Sequence, residues 1–282
     1  RSPSRGLGDV YKRQEMHNGA SWTGAPGGLP SSGNDGTIAV NGTLNDSGTA
    51  FGGNVSHTAG IITTTGISGD ARIAGTVAWT QSGGQVNGFR QFFVDAGASY
   101  TLTGSGSMTA GINGGSRAIV SGSFSQTGGT FFDGAFNPNG GSISLTGGTA
   151  TNLGLRHDTQ ALWGRNGSST IFIGGDHSIA FASVVSAEEA ILLEGGATLS
   201  FDSDWSGSWQ ADGFSAADWV AALDDTGVTI GGTQVTSGNF TSLFNVTGAG
   251  TAGSTLTAVP EPSSAAALLG LAGLALPVRR RK

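Results

Sequence analysis

The chain has 282 residues, 51 of them Gly, no Cys, 11% charged residues and a formal net charge of −6. Without cysteine there is no disulfide framework, so hydrogen-bond ladders and repeated packing must hold the body together. Between Glu15 and Val278 there are 5 Arg and 18 acidic residues, a balance of −13 that leaves no basic footprint for nucleic acid.

Residues 1–14, R-S-P-S-R-G-L-G-D-V-Y-K-R-Q, are basic, begin without Met and differ in composition from the rest of the chain. They lack the apolar core of a signal peptide, so they read as a non-native lead sequence, with the true start and its export signal missing. From Trp22 to Ala50 the chain is Gly, Ser, Asn and Pro punctuation around one alternating run, Thr37 to Leu44, which predicts a first strand.

The body, taken as residues 15–187, repeats itself. Arg72 to Val86 aligns without a gap on Arg117 to Phe131, 45 positions later, placing Trp79 on Phe124, Gln81 on Gln126 and Gly83-Gly84 on Gly128-Gly129. Val55 to Ile61 is a weaker copy, and Tyr100-Thr-Leu-Thr-Gly104 recurs as Ile143-Ser-Leu-Thr-Gly147. The positions Val55, Trp79, Tyr100, Phe124 and Ile143 step by 24, 21, 24 and 19. Steps of this size, with period-2 strands ending in glycine corners, suit the coils of a solenoid that stack and bury their inward side chains. The expected fold is all-β, a right-handed parallel β-helix or β-solenoid-like body, with a β-sandwich as the alternative.

Leu153 to Asn166 breaks the pattern and reads as a loop or lateral insertion. Strand-like runs resume at Ser169–Ile173, Ser178–Phe181, Ala190–Leu193 and Ala197–Phe201. Residues 188–247 are expected to form C-terminal strands and a cap. Within them Ser215, followed by Asp218 and the apolar Trp219, Val220 and Leu223, predicts a capped helix, Val228 to Val235 a hairpin about Gly231-Gly232, and Phe240 to Val246 a last strand. Residues 248–258, rich in Gly, Ser, Thr and Ala, read as a linker.

The last segment, 259–282, has a different character. Val259-Pro260-Glu261-Pro262 precedes an apolar run, Ala265 to Leu276, and a basic end, Arg279-Arg280-Arg281-Lys282. The run satisfies its own backbone as a helix, yet Ser263 to Val278 gives only 16 residues against the roughly 20 of a permanent span. The four cations stay cytoplasmic by the positive-inside rule, which puts the body on the far side. The prolines hold Glu261 in open, extended geometry where a processing enzyme can reach it. This order of parts resembles the PEP-CTERM sorting signal of Gram-negative bacteria. The resemblance covers less than a tenth of the chain. It implies a C-terminal transmembrane sorting helix with transient inner-membrane insertion, recognition by an exosortase after export, cleavage near the Pro-Glu-Pro, and delivery to the cell surface or extracellular matrix.

Candidate chemistry is sparse. His157-Asp158 carries partners for base catalysis, but no nucleophile motif accompanies it. Nine of the 19 acidic residues fall between Glu188 and Asp225, and Asp202 and Asp204, two apart on an expected strand, are the candidate calcium ligands. No other cofactor is expected. Trp163, Trp205 and Trp209 are candidates for stacking on sugar rings, with core packing as the commoner use. These readings point to a structural or adhesive surface protein, with exopolysaccharide or another surface glycan as its partner and no catalytic residues. The alternative is a secreted polysaccharide lyase or hydrolase.

Overall fold

The computed structural model describes residues 16–23, 38–45, 50–51, 55–63, 70–73, 76–87, 91–109, 117–132, 134–153, 161–182, 190–224 and 226–260. Among the described residues the protein is all-β, built mostly from parallel sheets that close no barrel.

The leading strands β1 (Met16–Thr23) and β2 (Ile38–Asn45) pair in parallel. The short β3 (Ala50–Phe51) comes next, and then β4 (Val55–Thr63), which pairs in parallel with β2. From there the chain makes repeated passes, each laying a strand on three successive faces. The first pass is β5 (Asp70–Ile73), β6 (Ala78–Gln81) and β7 (Gln85–Asn87). The second is β8 (Gln91–Val94), β9 (Ser99–Leu102) and β10 (Ser107–Thr109). In the third, β11 (Arg117–Val120) leads into β12 (Ser123–Phe132), which runs across both remaining faces. The fourth repeats this with β13 (Ala135–Pro138) and β14 (Ser142–Leu153). The fifth is β15 (Leu162–Gly164), β16 (Thr170–Ile173) and β17 (Ser178–Phe181), and the sixth β18 (Ile191–Leu193), β19 (Thr198–Phe201) and β20 (Trp209–Ala211).

The registers stack each pass on the one before. On the second face Val55 pairs with Trp79, then Tyr100, Phe124 and Ile143, the residues that the sequence steps mark. The ladder continues to Ile171, Leu199 and Val228, where each step lengthens to 28 or 29 residues. The 45-residue repeat therefore spans two passes. On the first face the same alignment slips by two, because Asp70, and not Arg72, leads through Gln91 to Arg117. Corners of unequal length absorb the difference.

Period-2 alternation turns one side of every face inward. Ile73, Phe92, Val120 and Phe136 from the first face, Trp79, Tyr100, Phe124 and Leu199 from the second, and Val86, Met108, Phe131 and Trp209 from the third form one continuous buried core. Each fully buried side chain of this size contributes about 1.5–3 kcal/mol.

Two buried glutamines explain the Gln-x-Gly-Gly part of the repeat. Gln81 Nε2 donates to Gly84 O at 3.1 Å and to Ser107 O at 3.0 Å, and Gln126 Nε2 to Gly129 O at 3.3 Å and Thr149 O at 2.9 Å. Each amide thus ties its own corner to the next pass from inside, and Gln81 Oε1 accepts from the Tyr100 hydroxyl, whose pKa burial pushes up. The corner itself requires glycine: a Cβ on Gly83 would overlap the carbonyl oxygen of Thr58 in the pass beneath.

Among the described residues, 20 ladders are parallel, and the three antiparallel ones all involve residues after Ser208. The alternative of a β-sandwich requires antiparallel sheets, and the described residues of the body contain none. Trp163, read as part of a lateral insertion, lies on β15 in register with Leu192, so part of that stretch continues the first face.

The end is closed by α1 (Ala216–Leu223), the hairpin of β21 (Val228–Ile230) and β22 (Thr233–Gln234), the short α2 (Phe240–Leu243), β23 (Phe244–Thr247) and β24 (Ser254–Ala258). As the sequence predicts, Ser215 caps α1 through a reciprocal box: its Oγ accepts from Asp218 N–H at 3.2 Å, and its N–H donates to Asp218 Oδ2 at 2.7 Å. The predicted last strand begins instead with a turn of helix. The expected linker also differs, because its second half is β24, with Ser254 and Leu256 buried. Its Ser-Thr-Leu-Thr-Ala alternation is masked in the sequence by the surrounding Gly and Thr. Among the described residues no helix is long and apolar enough to cross a membrane. Residues 265–276, where the sorting helix is expected, lie outside the described residues, as do residues 1–14.

Candidate functional site

The cap decides how the body meets the expected sorting motif. β24 pairs on one side with β20, Trp209 opposite Leu256, and on the other with β23, Phe244 opposite Ala258. Trp219 Nε1–H, fully buried on α1, donates to Ser254 Oγ at 3.0 Å. One residue beyond the strand, Val259 N–H donates to Leu243 O at 2.9 Å. Val259 and Pro260 then line a cavity of about 190 Å³ with Ile230, Thr233, Ser242 and Leu243. The first half of Val259-Pro260-Glu261-Pro262 is thus held against the cap rather than carried on a tether. Glu261, Pro262, Arg279, Arg280, Arg281 and Lys282 lie outside the described residues.

The candidate calcium pair sits differently from its expected place on a strand. β19 ends at Phe201, and Asp202 and Asp204 occupy the corner beyond it, where Asp202 N–H donates to Ile173 O at 2.8 Å and Trp205 N–H to Asp202 O at 3.3 Å. They therefore do not share a strand face, and the i, i+2 argument for a shared cation lapses. Among the described residues no three His, Asp or Glu side chains converge in a way that suits a metal ion. His157-Asp158, Glu188, Glu189 and Asp225 lie outside the described residues.

Trp205 and Trp209, candidates for sugar stacking, are buried instead. Their rings pack with Phe181, Phe201 and Trp219 at centroid distances of 5.1 to 6.5 Å, filling the end of the core beneath the cap. Trp205 Nε1–H donates to His177 O at 2.9 Å, and His177 Nδ1 lies 3.0 Å from Gly147 O, so that nitrogen carries the proton. Burial pushes the His177 pKa down despite that bond and the nearby Asp176. A neutral imidazole donating to a carbonyl pins a corner to the pass beneath it.

The outer surfaces divide sharply by charge. Asp70, Arg72 and Arg117 are the only Asp, Glu, Lys or Arg in any strand among the described residues, and all three lie on the first face. There Arg72 pairs with Asp95 at 2.9 Å and lies 4.5 Å over the Phe93 ring. The second face presents two registered outer columns, Ser99, Ser123, Ser142, Thr170 and Thr198 beside Thr101, Ser125, Ser144, Phe172 and Ser200. Hydroxyls of adjacent strands touch, as in Thr229 Oγ1 to Ser200 Oγ at 3.2 Å. The outer side of the third face likewise shows Ser, Thr, Gln and Asn with one Ala and one phenyl ring among the described residues. No single residue type in the sequence announces these columns, since their order depends on which residues stack.

No family model, no curated protein and no solved structure matches the chain.

Proposed function

We propose that the protein is an exported surface or extracellular-matrix component of a Gram-negative-type bacterium, with a structural and adhesive role. In this reading the body is a β-solenoid, right-handed because parallel crossovers almost always are. Residues 259–282 are a PEP-CTERM signal that inserts transiently in the inner membrane, is processed by an exosortase and releases the body to the surface. The observation that carries the reading is the order of the tail: Val-Pro-Glu-Pro, then the apolar run, then Arg-Arg-Arg-Lys. Supporting it, the described strands of two faces carry uncharged, mostly hydroxyl-bearing outer columns, a surface suited to hydrogen-bonding with a hydrated polymer matrix.

The test is to express the full chain behind an export signal in a bacterium that carries an exosortase, and to measure the intact mass of the protein recovered outside the cell. The expected product lacks the residues after Pro262 and disappears from the surface fraction when Arg279 to Lys282 are deleted. Recovery of the whole chain from cytosol, with its tail intact and protected from protease, overturns the proposal.

A further inference from the structure

The outer side of the third face carries the one large apolar side chain that is exposed among the described residues. Phe132, the last residue of β12, is 42% exposed. Its registered neighbours are Thr109 on the preceding pass and Thr151 on the next one. Thr130 and Thr149, two residues back along β12 and β14, complete the surround, with Thr149 Oγ1 3.4 Å from Thr130 Oγ1. Four threonines thus frame one phenyl ring, with neighbours about 4.8 Å apart across the strands and about 7 Å apart along them. Just past Thr151 the ladder shifts register between Ala150 and Leu153, and Asn152 has φ 56°, the one positive φ at a non-glycine among the described residues. Such a bulge bends the strand locally.

A single exposed apolar residue is ordinary on a protein surface. The setting of Phe132 is what distinguishes it. We propose that Phe132, with Thr109, Thr130, Thr149 and Thr151, forms a binding patch for an uncharged polysaccharide chain. The proposal rests on the surface or matrix reading above and deepens it by naming the class of ligand and the face that takes it.

A pyranose ring offers an apolar C–H face, which an aromatic ring covers, and a rim of hydroxyls that both donate and accept. Threonine hydroxyls match that rim, since each also donates and accepts. Charge narrows the ligand further. No strand of the second or third face carries Asp, Glu, Lys or Arg among the described residues, so an ionised glycan finds no counter-charge there, and nucleic acid finds no cation for its phosphates. Shape narrows it again: small-molecule sites are concave, whereas this patch is an open sheet face with a translational repeat, which an extended polymer can track.

The test uses the purified full-length protein, sedimented with amorphous cellulose and with chitin and run through native gels containing soluble starch or polygalacturonate. Retention by at least one of the three neutral glycans is expected, and Phe132→Ala should weaken it about fivefold or more. Thr130→Ala with Thr149→Ala should weaken it by a smaller factor. Both variants should melt with the parent, because the altered side chains lie on the outside of the sheet. Three outcomes overturn the proposal: no retention by any of the four glycans, retention by polygalacturonate alone, or equal retention of parent and Phe132→Ala. None of them touches the export reading, which stands or falls on the location and mass of the secreted product.

Discussion

The stacked passes and the cap at their end bury sheet edges by different means. In the passes every strand lies parallel to its predecessor, corners are tied from inside by Gln81 and Gln126, and glycines sit where the backbone beneath leaves no room. In the cap, pairing is antiparallel, a capped helix turns its Trp219 inward, and β24 closes against both β20 and β23. A parallel stack has no natural end, since each added strand offers a fresh edge. Reversal of strand direction, together with a helix, consumes that edge locally. Constraint in the passes is therefore set by translation: what fits one pass must fit under the next. In the cap it is set by local contacts.

The largest expected difference is at glycine. Gly83→Ala places a Cβ on the carbonyl oxygen of Thr58, so we expect a loss of about 3 kcal/mol or more in denaturant unfolding. Gly232→Ala, in the cap hairpin, meets nothing within 4 Å and suffers only from its φ of 81°, so it should cost about 1 kcal/mol. Equal costs would mean that passes and cap are constrained alike.

Comparable in size is Trp219→Ala, expected to cost about 3 kcal/mol or more and to release β24, because it removes a fully buried ring and the donor to Ser254 Oγ. Amide exchange should rise through 254–258 while the strands of the first four passes stay protected, since a repeat array couples mainly to its neighbours. Uniform loss of protection would show that cap and passes unfold as one unit.

The smallest effect is at the helix cap, where Ser215→Ala should cost about 1 kcal/mol. Hydrogen bonds from Ser215 hold the Asp218 pKa below the ordinary aspartate value. A carboxylate whose pKa falls on folding adds stability above its unfolded pKa, about 3.9, and loses it as pH falls through the folded value. Acidification below pH 4 should therefore weaken α1 in the parent, and less so in Asp218→Asn, as tracked by amide exchange in 216–223.

The ladder Val55, Trp79, Tyr100, Phe124, Ile143 was legible because apolar residues recur a few positions before glycine corners, Gly-Gly or Thr-Gly in all but the first. It faded after Gly147 because the later passes are longer, 28 or 29 residues, although their inward residues keep the same register. The helix cap was equally legible, since Ser215 and Asp218 act within four residues. β24 was not, because an alternation as short as Ser-Thr-Leu-Thr-Ala is a strand only where β20 and β23 offer it edges. Asp202 and Asp204 failed as a strand pair for the same kind of reason: where a strand stops is decided by the corner, and here it stops at Phe201.

Sequence alone determined the strand-forming alternation, the corner glycines, the capped helix and the composition of the tail, all of which act through neighbours along the chain. Tertiary structure decided which residues share a column, that charge on the strands gathers on the first face, and that Phe132 stands among four threonines. Those facts depend on the lengths of the corners between strands, and corner length sets register only once one pass rests on another.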